Sequence, residues 1–411
     1  MADSGDAVLV DCVEGFIRVR TEGFKLWFVI YHPQYLSYSL EGQLPMLVIH
    51  GGPGMPHGYL KECCLGASAA NCNIHHRSII FYDQLGCGHS DKPPGEHHYS
   101  LALSVDDLHC LVCEIARRAG ADAGTGAGVS AATTSTDSPS PLRLHLLGHS
   151  FGGMLAYEYI RPNHYKTNIL CPVHFESLVL LSTPTSTHVS MEASLRCKQK
   201  IIGDMVSANM GCASFVAMED LDVRAAQKFM DTHMYRRPHP RGDNSEGGSV
   251  SERILTLPTL ESLIDRTVPS WDGVHTRDLR EWAAWEGEGA GCHATTTTSR
   301  GAHSVDQPSV PHSLMPTPTA SAQSVTVTPG SHFPVCLITG QHDFVNSRCL
   351  EHWKDVEFPV PGAALQTATA AAALETAIIA DASHMSVVEE PQRVIEAVYL
   401  FIAKLEGLGL G

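Results

Sequence analysis

The alternation of apolar and polar positions changes period several times along this 411-residue chain, and each change marks an element. Between residues 12 and 31, Phe16, Ile17, Val19, Phe24, Leu26, Phe28 and Ile30 alternate with polar positions around Thr21-Glu22-Gly23, which predicts a hairpin. Continuous apolar runs at 45–50, 78–82, 177–181 and 334–338 are those of strands buried on both faces of a parallel sheet, and 142–147 and 375–379 read as two more. A helical period over 104–118 puts Leu108, Leu111, Val112 and Ile115 on one face, with Ser104 and Asp107 as the expected capping pair. Val394, Ile395, Val398 and Ile402 repeat that period in a closing helix, 391–405. Strands alternating with helices specify the α/β class, a mostly parallel sheet flanked by helices.

The sheet pattern stops between 186 and 290, where 191–205, 225–235, 257–264 and 277–285 read as helical. Inserted between strands, such a block forms a lid over the carboxyl edge. The expected division is therefore a core of residues 1–183 and 333–411 with a helical cap at 184–332. Two stretches, 120–141 and 288–330, are rich in small and polar residues; with so few large apolar side chains to offset ordering entropy, they read as disordered insertions.

Glycines gather where the strands end. Gly148-His149-Ser150-Phe151-Gly152-Gly153 separates a strand from a helical run, a turn that holds a hydroxyl above a helix N-terminus, where negative charge is favoured. His50-Gly51-Gly52-Pro53-Gly54 and residues 83–90 follow two further strands, at the edge where open α/β sheets bind ligands. Asp83 is expected to orient loop backbone there. Asp343 and His384 also stand just beyond strands, and parallel strands share one carboxyl edge, so Ser150, Asp343 and His384 are expected to converge. A serine hydroxyl needs a base, which His384 supplies near neutral pH, while Asp343 fixes the tautomer and stabilises the cation. The N–H groups of Phe151 and Gly52 are the candidate donors to a developing oxyanion.

Bulk properties narrow the class. A hydrophobic share of 43% supports a large core, and 28 basic against 44 acidic residues give −16, which disfavours nucleic acid and anionic membrane surfaces as partners. The first residues lack the pattern of a secretory signal and no apolar run is long enough to cross a bilayer, so a cytoplasmic protein is expected. Thirteen cysteines, an odd number scattered through apolar runs, read as reduced thiols. Cys110 and Cys113 lie within one helix without a second pair at zinc-site spacing, which favours a structural role.

The order serine, acid, histidine is that of the α/β-hydrolases. Together His50-Gly-Gly-Pro-Gly54, Asp83-Gln-Leu-Gly-Cys-Gly-His-Ser90, Gly148-His-Ser-Phe-Gly-Gly153, Gly340-Gln-His-Asp343 and Ser383-His384 resemble the proline iminopeptidases, α/β-hydrolase-fold serine peptidases that remove an N-terminal residue, typically proline. The resemblance covers about residues 14–183 and 333–403, apart from the insertions. It implies Ser150, Asp343 and His384 as triad, Gly52 and Phe151 as oxyanion donors, an acyl-enzyme without metal or organic cofactor, and a peptide with a free N-terminus as partner. Arg280-Glu-Trp-Ala-Ala-Trp-Glu286-Gly287 is similar to a Trp-x-x-Trp-Glu-Gly segment whose glutamate binds the amine, which implies that role for Glu286. The second amine-binding glutamate of that family has no counterpart.

Two other functions stay open. The same triad serves small esters, amides or lactones, since fold does not fix function. A non-catalytic binding protein on this scaffold is opposed by the complete triad and both glycine loops. Epoxide and haloalkane hydrolysis are disfavoured because Ser150 stands where those enzymes carry an aspartate.

Overall fold

The expected hairpin forms: β1 (Cys12–Val19) pairs antiparallel with β2 (Phe24–Tyr31). The computed structural model describes residues 11–36, 43–65, 77–122, 142–161, 173–185, 187–209, 218–236, 332–355, 358–359 and 369–407. Seven further strands follow, β3 (Met46–Ile49), β4 (Ile79–Tyr82), β5 (Leu142–His149), β6 (Val173–Leu181), β7 (His332–Gly340), β8 (Phe358–Pro359) and β9 (Thr369–Ile379). Among the described residues they make one sheet in the order β1-β2-β4-β3-β5-β6-β7-β9-β8. In that order every neighbouring pair from β4 to β9 is parallel, whereas β1–β2 and β2–β4 at one end and β9–β8 at the other are antiparallel.

Continuous apolar runs were the mark of two-sided burial, and β3 shows why. Leu47 and Ile49 join a core with Leu108, Leu111 and Tyr157, whereas Met46 and Val48 join the opposite core with Leu60 and Ile395. Successive side chains point to opposite faces, so both parities must be apolar. The first core is covered by α2 (Leu101–Asp122) and α3 (Phe151–Ile160), the second by α1 (Gly58–Leu65) and the C-terminal helix (Pro391–Glu406). Strand order reverses at β3 and β5, so the loops after these two neighbours open on the same crevice.

Helices α4 (Thr187–Asn209) and α5 (Met218–Phe229) lie between β6 and β7 in the chain, and Met230–Met234 continues α5 as a π-helical turn. Ala193 packs on Val345 and Cys349, and Ile201, Ala225 and Phe229 pack with Phe344, which places both helices against the loop beyond β7. The expected helices at 257–264 and 277–285, residues 123–141 and the stretch 288–330 lie outside the described residues.

Two expectations are corrected. α2 starts at Leu101, where Ser100 Oγ accepts from the Leu103 N–H at 3.2 Å, so Ser100 and not Ser104 caps it. Ser104 lies inside the helix, and Asp107 is a partner of Arg20 at 2.6 Å. The proposed insertion at 120 begins later, because α2 runs on to Asp122. β8 is a two-residue strand, too short to leave a periodic signature. Among the described residues no helix is long and apolar enough to cross a membrane.

The C-terminal helix is pinned by a buried polar cluster. Arg77 Nη2 and Glu406 Oε2 are 2.7 Å apart with both side chains 2% exposed, and the Leu44 N–H donates to Glu406 at 2.6 Å. Burial is the largest influence on the Glu406 carboxyl and pushes it up, but hydrogen bonds from His145 and Arg77 and the Arg77 charge hold it below its ordinary 4.5. Its stabilising contribution is therefore complete above that value and is lost as pH falls through the lower folded value. Glu406→Gln leaves Arg77 buried without a counter-charge and is expected to lower unfolding free energy by about 3 kcal/mol near neutral pH. Urea denaturation should show that gap closing toward acid; equal midpoints at neutral pH would contradict the account.

Candidate active site

The turn after β5 is the geometric centre of the site. Ser150 takes φ 51° and ψ −119°, a conformation that costs an L-residue about 1–3 kcal/mol. Its N–H donates to the Leu181 carbonyl at 2.8 Å and its own carbonyl accepts from the Gly153 N–H at 3.0 Å. Thr183 Oγ1 lies 3.2 Å from both the Ser150 and Leu181 carbonyls and can donate to either. The flanking glycines are required by close approach: a Cβ on Gly148 would stand 2.5 Å from Gly153 Cα, and one on Gly152 would stand 2.5 Å from the His50 carbonyl oxygen.

Three chain segments meet at the hydroxyl. His384 Nε2 is 3.0 Å from Ser150 Oγ, and His384 Nδ1 is 3.0 Å from Asp343 Oδ1. An ionised carboxylate only accepts, so Nδ1 carries the proton and Nε2 faces the hydroxyl as acceptor. The Asp343 side chain is fully buried and also accepts from Thr339 Oγ1 at 3.0 Å and the Val345 N–H at 2.9 Å. Phe344 covers the pair from one side, its ring 4.7 Å from that of His384. The structure brings the side chains of Ser150, Asp343 and His384 together. Glu286 lies outside the described residues.

Gly52 stands in the loop after β3 with φ 120°, and Phe151 is the first residue of α3. N–H groups in the first turn of a helix point past its N-terminal end, which is where Ser150 sits. His50 steadies the Gly52 loop. Its Nε2 accepts from the Gln84 N–H at 2.9 Å, so Nδ1 bears the proton and donates to the Gly51 carbonyl at 2.9 Å. Burial lowers the His50 imidazole to about 4, against the opposing charge of Asp83, and keeps it neutral. Asp83 orients backbone, as its position suggested: it accepts from the His57 N–H at 3.0 Å, the His57 ring at 2.8 Å and the His89 N–H at 2.9 Å. Burial alone would raise the Asp83 carboxyl, but hydrogen bonds, that from the His57 ring foremost, bring it below its ordinary value.

Several residues here were invisible to pattern reading. His149 lies against His384 with ring centroids 5.4 Å apart, and Tyr59 reaches His149 from α1. Glu389 accepts from the Ser383 N–H and hydroxyl and from the Arg236 N–H, and burial pushes its carboxyl up. The π-helical turn supplies two carbonyls, His233 and Met234, to the N–H groups of His384 and Met385 at 3.1 and 3.0 Å. His233 Nδ1 donates to the His342 carbonyl at 2.7 Å, so this turn touches both loops that carry the pair. Among the described residues no cluster of three or more histidine, cysteine or acidic side chains is arranged to hold a metal, and the nine described cysteines are all thiols.

The arrangement can take a proton from Ser150 and stabilise the resulting imidazolium. It depends on the packed glycines of the turn. Gly152→Ala forces a methyl against the backbone of the Gly52 loop, where nothing flexible can give way, and is expected to cost about 1–3 kcal/mol. An unchanged urea midpoint would contradict this.

The profile of the Alpha/beta hydrolase family matches residues 46–397. The proline iminopeptidase of Levilactobacillus brevis is 32% identical over 157 residues, covering 37% of this chain and 40% of that protein. The proline iminopeptidase of Lactobacillus acidophilus is 29% identical over 212 residues, covering 51% of this chain and 60% of that protein. The chain thus spans about half the length of the curated relatives it matches. The crystal structure of the proline iminopeptidase of Mycobacterium smegmatis superposes with a TM-score of 0.51 at 16% identity, over 96% of this chain and 99% of that one, a likeness of fold. A matched segment running from β3 into the C-terminal helix, on a parallel sheet with a serine at the sharp turn after β5, makes this chain a member of the alpha/beta hydrolase family.

Proposed function

We propose that this chain is a serine hydrolase that releases an N-terminal residue, preferentially proline, from peptides. The observation that carries the reading is the unbroken line from Ser150 Oγ through His384 to Asp343, with both hydrogen bonds at 3.0 Å. Ser150 Oγ attacks the scissile carbonyl carbon while His384 Nε2 takes its proton, and the Gly52 and Phe151 N–H groups receive the oxyanion. His384 then hands the proton to the leaving amine as the C–N bond breaks, which leaves an acyl-enzyme. Water, deprotonated by His384, attacks that ester and frees the residue and the serine. Protein groups and water supply every proton in this sequence.

The choice of a peptide with a free N-terminus is supported by the paired His50–Gly54 and Asp83–Ser90 motifs, which are in contact through His50 and Gln84, and by relatives named proline iminopeptidase. Glu286 is proposed to hold the α-amino group, and residues 184–332 to form the cap that carries it. A carboxylate placed for a cation discriminates strongly against a substrate that lacks one, because it is then left without a partner.

The purified protein is expected to cleave proline p-nitroanilide and to lose at least about 100-fold in kcat/KM when the substrate amine is acetylated. Equal turnover of both substrates would reject amine recognition and leave a broader ester or amide hydrolase. In the same panel Glu286→Gln should raise KM for the free-amine substrate while sparing simple esters; no difference between the two would clear Glu286 of the role.

A further inference from the structure

We propose that Tyr59 and His149 are positioning residues, joined in a one-way hydrogen-bond relay that sets the loop carrying Gly52 against the loop carrying His384. The inference rests on the serine-hydrolase reading above and names what holds its two halves together.

The direction of the relay follows from which groups can donate. The Gly51 N–H can only donate, and it does so to Tyr59 Oη at 2.7 Å. The hydroxyl proton of Tyr59 then goes to His149 Nδ1, 2.8 Å away. At the far end the His384 carbonyl can only accept, so His149 Nε2, 3.1 Å from it, carries the ring proton. Each member donates once toward His384, and no other assignment satisfies all three contacts. A neutral imidazole with one donor and one acceptor is required, and burial, with the neighbouring His384 charge, lowers His149 to about 3.

Neither residue is placed to touch substrate. Tyr59 is 5% and His149 1% exposed, so water does not compete for these bonds. What they fix is the peptide that matters. The Gly51 carbonyl and the Gly52 N–H belong to one peptide unit; His50 holds that carbonyl, and Tyr59 holds the N–H on the other side of Gly51. With both flanks of Gly51 tied, the direction of the Gly52 N–H is set. The loop is also packed hard on the relay, since a Cβ on Gly51 would stand 2.9 Å from His149 Nδ1. At the other end, the backbone of His384 is held while Asp343 and Ser150 occupy its two ring nitrogens.

Tyr59→Phe removes the hydroxyl that accepts from Gly51 and donates to His149, and His149→Leu removes both ring nitrogens, the acceptor for Tyr59 and the donor toward His384. Both should lower kcat for p-nitrophenyl acetate by about 10- to 100-fold and weaken inhibition by phenylboronic acid, whose serine adduct mimics the oxyanion, by a similar factor. KM should stay within about twofold, because ground-state binding is untouched. A merely structural role would not make boronate affinity and kcat fall together at constant KM. Either variant, folded as judged by circular dichroism, with kcat and boronate affinity within about twofold of wild type would overturn the relay. Wild-type protein that neither binds the boronate nor turns over the ester would overturn the serine-hydrolase reading itself and the relay with it.

Discussion

Ser150 is held in a backbone conformation that an L-residue avoids, and the site exists because the surrounding sheet leaves it no alternative. The strain of about 1–3 kcal/mol is met by hydrogen bonds to Leu181 and Gly153 and by a strand and helix that are buried on either side of the turn. β5 sits between β3 and β6 in parallel register, with Gly148 opposite Ile49 and His149 opposite Leu181. The end of the strand therefore cannot shift without breaking two ladders. Because β7 and β9 run parallel in the same sheet, the loops carrying Asp343 and His384 end at the same edge, and loops distant in sequence become neighbours.

The electrostatics of the edge follow from burial. His50 and His149 are held neutral, lowered to about 4 and about 3 by loss of solvent, so each presents one donor and one acceptor in a fixed direction. Neutral imidazoles stiffen the loops without adding positive charge beside His384. Asp83 does the complementary work in the second glycine loop, where three donors converge on one carboxylate. Such fixed dipoles need little reorganisation when charge develops on a substrate, which is the usual source of large rate effects in this type of site.

Much of this could be read from residues alone, for a physical reason. Strands buried on both faces carry unbroken apolar runs, and strand-end glycines advertise close backbone approach, so β3 to β7 and the position of Ser150 were visible. Asp343 and His384 stood out because each lies in the loop that follows a strand. Contacts between helix and loop leave no such trace. Tyr59 looks like any core aromatic of a helix, and His149 could not be told from a spacer until Tyr59 and the His384 carbonyl were seen on its two nitrogens. The cap of α2 was misplaced by four residues because Ser100 and Ser104 are chemically equivalent and only geometry shows which one stands outside the helix. The contribution of the π-helical turn rests on carbonyl groups, which every residue has.

The proposed mechanism requires that Ser150, and no other hydroxyl, be activated by the convergence of these loops. Treating the folded protein with a fluorophosphonate and mapping the adduct by peptide mass spectrometry measures this directly. One phosphonyl group per chain is predicted, on the peptide containing Ser150, and none in Ser150→Ala. A label elsewhere, or one that survives that substitution, would contradict the claim.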